Sequence, residues 1–311
     1  MRYRQLGASS LTVSEISLGS WRTIGTAVDT ETAARCVRKA FDCGINFFDT
    51  ANMYGKGAAE QLLGDLLSAY RRDDYVLATK LFYPMSETDR GLSRTQVFKQ
   101  IDASLTRLGV DHVDLYQCHR FDSDTPLEET MEALTDVVRA GKARYVGFSE
   151  WPVSGIKHAR DLDGVVPFVS SQPRYSMLYR KNERRIFPLC RELGIGQIVW
   201  SPLAQGILTG KYKPGMAPPP GSRSERKSLG RFFKPPVLRA IEKLKPIASD
   251  LSLTLPQLSL AWVLRGDLIS SAIIGASRPE QIETNCGASG VDLELSVLER
   301  IDEVLAQVMR R

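Results

Sequence analysis

Three histidines and five cysteines are all that this chain of 311 residues offers toward metal or disulfide chemistry. The cysteines (Cys36, Cys43, Cys118, Cys190 and Cys286) are odd in number and scattered, with no CxxC and no histidine at zinc spacing. A disulfide scaffold or a zinc module has nothing to be built from, and the thiols read as buried or incidental in a reducing compartment. No apolar run approaches the roughly eighteen residues a membrane span needs. The amino-terminal stretch MRYRQLGASS lacks the apolar core of a signal peptide. A cytoplasmic protein with no membrane partner is expected. Charge of one sign is scarce too: 41 basic residues against 36 acidic ones leave +5, dispersed along the chain. That is too little for a nucleic-acid surface, though it suits a phosphate-bearing cofactor.

What is present is ordinary globular material, 43% hydrophobic and 25% charged, enough for a sizeable core. Short runs rich in β-branched or aromatic residues recur at 16–19, 45–48, 75–79, 113–117, 143–148, 166–170, 195–200 and 271–274. Most begin about 30 residues after the one before, the size of a βα unit. Between them lie amphipathic helical patterns such as 30–43, 96–108 and 127–140. Eight strands alternating with helices suit a closed parallel barrel or an open doubly wound sheet. No GxGxxG follows any strand, so the dinucleotide fingerprint of the open sheet is missing. The candidate reactive residues also fall at the C-terminal ends of several strands, which is the barrel habit. A (β/α)8 TIM barrel is therefore expected. Residues 2–14 should form a β-hairpin plugging its bottom. Residues 211–234 should be an exposed, mobile loop, 235–265 two helices split near 251–255, and 294–309 a further helix. No linker or low-complexity tract divides the chain, so residues 1–311 are expected to form one domain.

Three of those strand ends carry ionisable groups. Asp49 closes the second strand, Lys80 the third and His119 the fourth, with Tyr54 a few residues into the loop after Asp49. Singly, these read as a turn former, a snorkelling charge and a structural histidine. In a barrel the three strand ends share one rim, and the residues meet there. An ammonium beside Tyr54 then lowers its phenol from near 10, with a carboxylate holding the lysine charged. The tyrosine can give a proton to a developing alkoxide, and His119 can polarise the substrate carbonyl.

With these pieces in place the sequence resembles the aldo-keto reductase family over nearly its whole length. The motifs are LTVS before LGSW at 18–21, DTANMYG from Asp49 to Gly55, Lys80, and DLYQCHR containing His119. GFSEW at 147–151, SSQPRY at 170–175, WSPLAQGILTGKY at 200–212 and IIGASRPEQIETN at 273–285 complete the set. The resemblance implies that Asp49, Tyr54, Lys80 and His119 are the catalytic tetrad of an NADPH-dependent reductase of small aldehydes or ketones. It implies that Ser149 and Gln172 hold the nicotinamide carboxamide and that Trp200 stacks on the ring. Ser20, Trp21 and Asp49 would lie nearby, and Ser201, Pro202, Leu203, Gln205, Gly206, Lys211 and Arg223 would wrap the pyrophosphate. Gly275, Ser277, Arg278, Gln281 and Asn285 would face the adenosine end, with Arg278 reading a 2′-phosphate. Without the motifs, Trp200 reads as a core aromatic and Arg278 as a solvated helix N-terminus. Residues 206–211 look superficially like a phosphate-binding P-loop, but they have one residue too few and Tyr212 where Ser or Thr should follow.

Glu150 departs from the family pattern, in which asparagine commonly follows the serine matching Ser149. A carboxylate cannot donate to the carboxamide carbonyl, so Ser149 and Gln172 would do more of that work, or Glu150 turns away. The branch of the family related to potassium-channel β subunits shares GxSxW, WSPLxxG and GAS, which raises a second reading: a cofactor-binding regulatory subunit. The catalytic histidine can be missing in that branch, whereas His119 is present here. Trp21, Met53, Phe82, Arg120 and Trp151 follow strand ends and are expected to line the carbonyl pocket beside Tyr54 and His119.

Overall fold

The computed structural model describes residues 1–219 and 232–309. Two short antiparallel strands, β1 (Tyr3–Gln5) and β2 (Thr12–Ser14), come first. Eight parallel strands follow: β3 (Ile16–Gly19), β4 (Phe47–Asp49), β5 (Val76–Leu81), β6 (Val113–Cys118), β7 (Ala143–Phe148), β8 (Phe168–Ser171), β9 (Gly196–Trp200) and β10 (Ile269–Ile274). They pair in chain order, and β10 returns to β3 to close a barrel. The expected (β/α)8 fold is the observed one. β4 starts at Phe47 instead of 45 because the hairpin claims the preceding residue. Ser14 donates its N–H to Asn46 Oδ1 at 2.8 Å, and Asn46 returns its own N–H to Ser14 Oγ at 3.2 Å.

The helices α1 (Thr30–Asp42), α2 (Ala58–Leu67), α3 (Arg94–Leu108), α4 (Leu127–Arg139), α5 (Val153–Arg160) and α6 (Ile186–Glu192) follow successive strands. Then come α7 (Pro235–Asp250), α8 (Leu255–Leu264), α9 (Pro279–Cys286) and α10 (Leu295–Met309). The long interval after β9 holds a 3₁₀ turn, Ala204–Thr209, and then α7 and α8, split at 251–254 as expected. Thr254 and Gln257 form a reciprocal capping box that starts α8. Of the anticipated loop, residues 211–219 hold no helix or strand, and 220–231, with Arg223, lie outside the described residues. No single described helix is long and apolar enough to cross a membrane.

Strand side chains alternate with period two, and the alternation sorts two apolar layers. Phe47, Val76, Ala78, Leu115, Val169, Ile198 and Ile273 point into the barrel and share one buried cluster. Phe48, Leu77, Tyr116, Val199 and Ala272, their neighbours in sequence, belong to the larger cluster beneath the helices. Leu6, Leu11 and Val13 from the hairpin join the inner cluster, so the hairpin does plug the barrel.

Gly7 makes the plug fit. It has φ +55°, and a Cβ there would come within 2.5 Å of Gly194 O, Gly196 N and Val169 O. Ala8 N–H donates to Gly194 O at 2.7 Å across this contact. Gly7→Ala is expected to cost about 2–4 kcal/mol of unfolding free energy, from backbone strain and overpacking together. A urea midpoint equal to that of the parent would show that the plug is not fastened there.

Candidate active site

The inward parity of the barrel strands continues past the apolar layer. Counting on from Phe47, Ala78 and Leu115, it turns Asp49, Lys80, Gln117 and His119 toward the axis at the C-terminal rim. The strand register then sets them side by side: Asp49 pairs with Ala78, and Lys80 with Gln117. Lys80 has no exposed surface and Asp49 is 3% exposed. The Lys80 ammonium donates to Asp49 Oδ2 and to Thr50 O, both at 2.7 Å. The other carboxylate oxygen accepts from Gln172 Nε2 at 2.9 Å and Gln117 Nε2 at 3.5 Å. Gln117 was not anticipated, although its position two residues before His119 on the same face would have found it.

Tyr54 joins this group because the chain doubles back after β4. Gly55, Lys56 and Gly57 take φ of 58°, 51° and 95° in succession, a left-handed run that glycine tolerates and Lys56 does not favour. The Tyr54 ring sits edge-on to the His119 imidazole, centroids 5.7 Å apart, with the Lys80 ammonium 5.1 Å from its centre. All four residues of the expected tetrad therefore converge.

Their electrostatics differ from the expectation in one respect. Burial, reinforced by the Asp49 charge, pushes the Tyr54 phenol well above its ordinary value, and only Arg120 pulls it appreciably down. The anticipated net acidification is not found, because burial and the Asp49 charge outweigh the positive charge nearby. Burial also lowers Lys80, against the attraction of Asp49. His119 is driven well below its usual range by burial, then by Lys80 and Arg120. At neutral pH the site thus holds a protonated phenol and a neutral imidazole beside the Lys80–Asp49 contact at 2.7 Å. Arg120, anticipated only as a wall, donates to His119 O at 2.5 Å and Ser149 Oγ at 3.3 Å, and adds a positive charge with no ion pair among the described residues. Positive charge at this rim favours an oxygen that becomes anionic.

Several of the expected cofactor residues follow strand ends at the same rim. Ser149 Oγ donates to Gln172 O at 2.7 Å, which joins the two carboxamide candidates. Ser20 Oγ donates to Thr50 Oγ1 at 2.8 Å, tying β3 to the loop after Asp49. Glu150 turns away from the carboxamide position: its Oε1 accepts from Trp200 Nε1 at 3.0 Å and from Arg174 N at 2.5 Å. Beyond Trp200, Ser201, Ala204, Gln205 and Gly206 all have positive φ. Such left-handed turns gather backbone N–H groups into anion-binding concavities. The Lys211 ammonium leans over this turn, and a Cβ on Gly206 would lie 3.4 Å from it. Pro202 is buried and Leu203 partly so. The Ala204 and Gly206 N–H groups already donate to Ser201 O and Leu203 O, both at 2.9 Å, so the Lys211 ammonium and the remaining donors of this loop are what fit a pyrophosphate.

Farther round the rim, Arg278 is the N-cap residue of α9, and Gly275, Ser277 and Arg278 are exposed. Gln281 Oε1 accepts from Ser277 N at 2.9 Å, while Asn285 is buried on the next turns of α9. Both readings of Arg278 remain compatible, since it is a solvated helix start and also a guanidinium with no ion pair among the described residues.

The pocket wall is only partly as anticipated. Trp151 is 3% exposed and packs among Phe121, Phe148 and Phe168, so it is a core residue and not a wall. Its chain neighbour Glu150 has φ 57°, which reverses the backbone and sends Trp151 inward. Trp21, Met53 and Phe82 stay part-exposed at the rim. Tyr83, which was not anticipated, lies edge-on to His119 at 4.9 Å, with Arg120 over its face at 5.4 Å. Among the described residues no group of three or more His, Cys, Asp or Glu is placed to hold a metal ion.

Comparison with known proteins agrees with this fold. The model of the aldo/keto reductase family matches residues 15–306. A probable voltage-gated potassium channel subunit beta of Arabidopsis thaliana is 41% identical, covering 100% of this chain and 98% of its own length. The corresponding putative subunit of Schizosaccharomyces pombe is 39% identical over 97% of this chain and 93% of its own. Among solved structures, a glycerol dehydrogenase from Gluconobacter oxydans superposes with a TM-score of 0.86 at 26% identity, covering 98% of this chain and 95% of that one. On its motifs, its barrel and these matches, the chain belongs to the aldo/keto reductase family.

Proposed function

We propose that this protein is an NADPH-dependent oxidoreductase that reduces a small aldehyde or ketone to an alcohol, with Tyr54 as proton donor. The observation that carries the reading is the Tyr54 ring, set edge-on to His119 with its centre 5.1 Å from the ammonium of the buried Lys80–Asp49 pair. When bound, NADPH supplies a hydride for the carbonyl carbon. Ser149 and Gln172 would hold its carboxamide, Trp200 would stack on its ring, and the turn at Ser201–Gly206 with Lys211 would hold the pyrophosphate. His119 hydrogen-bonds and polarises the carbonyl oxygen, and Tyr54 gives that oxygen its proton as the alkoxide forms. An alkoxide is a far stronger base than a phenolate, so a phenol of raised pKa still donates downhill. Lys80 and Arg120 stabilise the negative charge while it exists. Trp21, Phe82 and Tyr83 at the rim favour an apolar or aromatic carbonyl substituent.

NADPH is preferred over NADH because Arg278, at the start of α9, suits a phosphate dianion. Arg278→Ala is expected to weaken NADPH by about tenfold or more, the scale of a charge-assisted hydrogen bond, and to leave NADH nearly unaffected. Equal losses for the two cofactors in a fluorescence titration would refute the 2′-phosphate role. The reaction itself is tested by screening aldehydes and ketones with both cofactors and following the nicotinamide absorbance.

A second reading, a cofactor-binding accessory subunit, is supported by the relatives named as potassium channel subunits. It predicts a stoichiometric channel partner in a pull-down from native membranes. Rapid aldehyde turnover with no such partner speaks against it.

A further inference from the structure

Trp200 is gripped from two directions by residues that follow other strands. Its indole N–H donates to Glu150 Oε1 at 3.0 Å, and the same oxygen accepts the Arg174 backbone N–H at 2.5 Å. The Arg174 guanidinium lies 5.4 Å from the centre of the indole ring. The chain around Trp200 is fastened as well: its N–H reaches Pro173 O at 3.2 Å, and its carbonyl accepts from Tyr175 N at 3.3 Å. Glu150 holds its place in a left-handed conformation, φ 57°, where asparagine or glycine would sit with less strain.

We propose that Glu150 is a positioning residue for the cofactor platform: its carboxylate pins the edge of the Trp200 indole while Arg174 covers one ring face, so that the opposite face is presented, already oriented, to the nicotinamide. A tryptophan ring swings broadly about χ2 when nothing holds its edge. A hydrogen bond at Nε1 removes that swing, and a cation over one face decides which face stays open. Glu150 thus acts through Trp200 and does not replace the missing asparagine as a reader of the carboxamide. Ser149 and Gln172 remain in place for that work.

The inference rests on the cofactor reading above, and the test separates the two. Glu150→Ala, Glu150→Gln, Trp200→Phe and the Glu150→Ala/Trp200→Phe double variant are compared on three readouts. These are NADPH affinity by nicotinamide fluorescence, acrylamide quenching of the Trp200 emission without cofactor (parent minus Trp200→Phe), and the thermal midpoint. Glu150→Ala is expected to weaken NADPH by about tenfold, the scale of one lost hydrogen bond to a charged acceptor, and to raise quenching. Glu150→Gln recovers most of both, because its amide oxygen accepts the same two N–H groups. In the Trp200→Phe background the alanine change adds less than about twofold, since the shared contact is already gone. Parent-like NADPH affinity and quenching in a folded Glu150→Ala, or losses that multiply in full in the double variant, would overturn the positioning role. If the parent binds no nicotinamide cofactor while Glu150→Ala still raises quenching, the cofactor reading fails and the indole anchor stands.

Discussion

Replacing Tyr54 with phenylalanine is expected to leave NADPH bound while turnover falls by about 10²–10⁴-fold, the usual contribution of a positioned general acid. The substitution removes one hydroxyl and keeps the ring that meets His119 at 5.7 Å and Lys80 at 5.1 Å. The cofactor residues, Trp200 above all, are untouched, so a fluorescence titration should match that of the parent. The pH profile of the parent carries the same information. Burial and Asp49 raise the Tyr54 phenol, so the acid form persists through neutrality and is lost only well above its ordinary value of 10.0. Burial, Lys80 and Arg120 lower His119, so the neutral imidazole is lost only well below 6.5. Reduction should therefore run on a broad plateau between those limits. An alkaline limb centred near neutrality would mean that the phenol is acidified in the working enzyme after all.

Lys80→Met should be the most damaging substitution for the fold as well as for the reaction. Among the described residues it leaves the buried Asp49 carboxylate only the amides of Gln172 at 2.9 Å and Gln117 at 3.5 Å. Breaking one side of a buried pair typically costs about 3–5 kcal/mol, because the remaining charge has no compensation. Turnover should fall too, as the oxygen that becomes anionic loses its nearest ammonium. Adding Asp49→Asn to the lysine variant should return part of the lost stability and none of the activity. Urea unfolding and turnover measured on the three variants separate the two effects. A single variant as stable as the parent would show that the pair contributes nothing to folding.

The barrel was legible because its signal is local and repeated. Apolar runs of strand length at βα spacing are direct consequences of side chains alternating between two buried layers. The convergence of Asp49, Lys80 and His119 was legible because strand-end placement needs only the fold and the position of the residue in its strand. The adjoining residues Glu150 and Trp151 were not. A sequence shows a carboxylate and an aromatic after a strand; it does not show that φ at 150 is positive, which turns one to the rim and the other into the core. The direction of the Tyr54 shift was misjudged for a related reason. Proximity of Lys80 is readable, whereas the burial of the phenol is a property of the packed site. Arg120 and Tyr83 belong to the same class, since their contacts with His119 come from loop conformation.

Hydride delivery from cofactor to carbon is best followed with NADPH deuterated on the transferable C4 position, a reducible aldehyde and mass spectrometry of the alcohol. The proposed chemistry predicts one deuterium on the carbinol carbon, no carbon-bound label when D₂O replaces the deuterated cofactor, and near-complete loss of product with Tyr54→Phe. An alcohol carrying no cofactor deuterium, or carbon-bound deuterium drawn from the solvent, would contradict it.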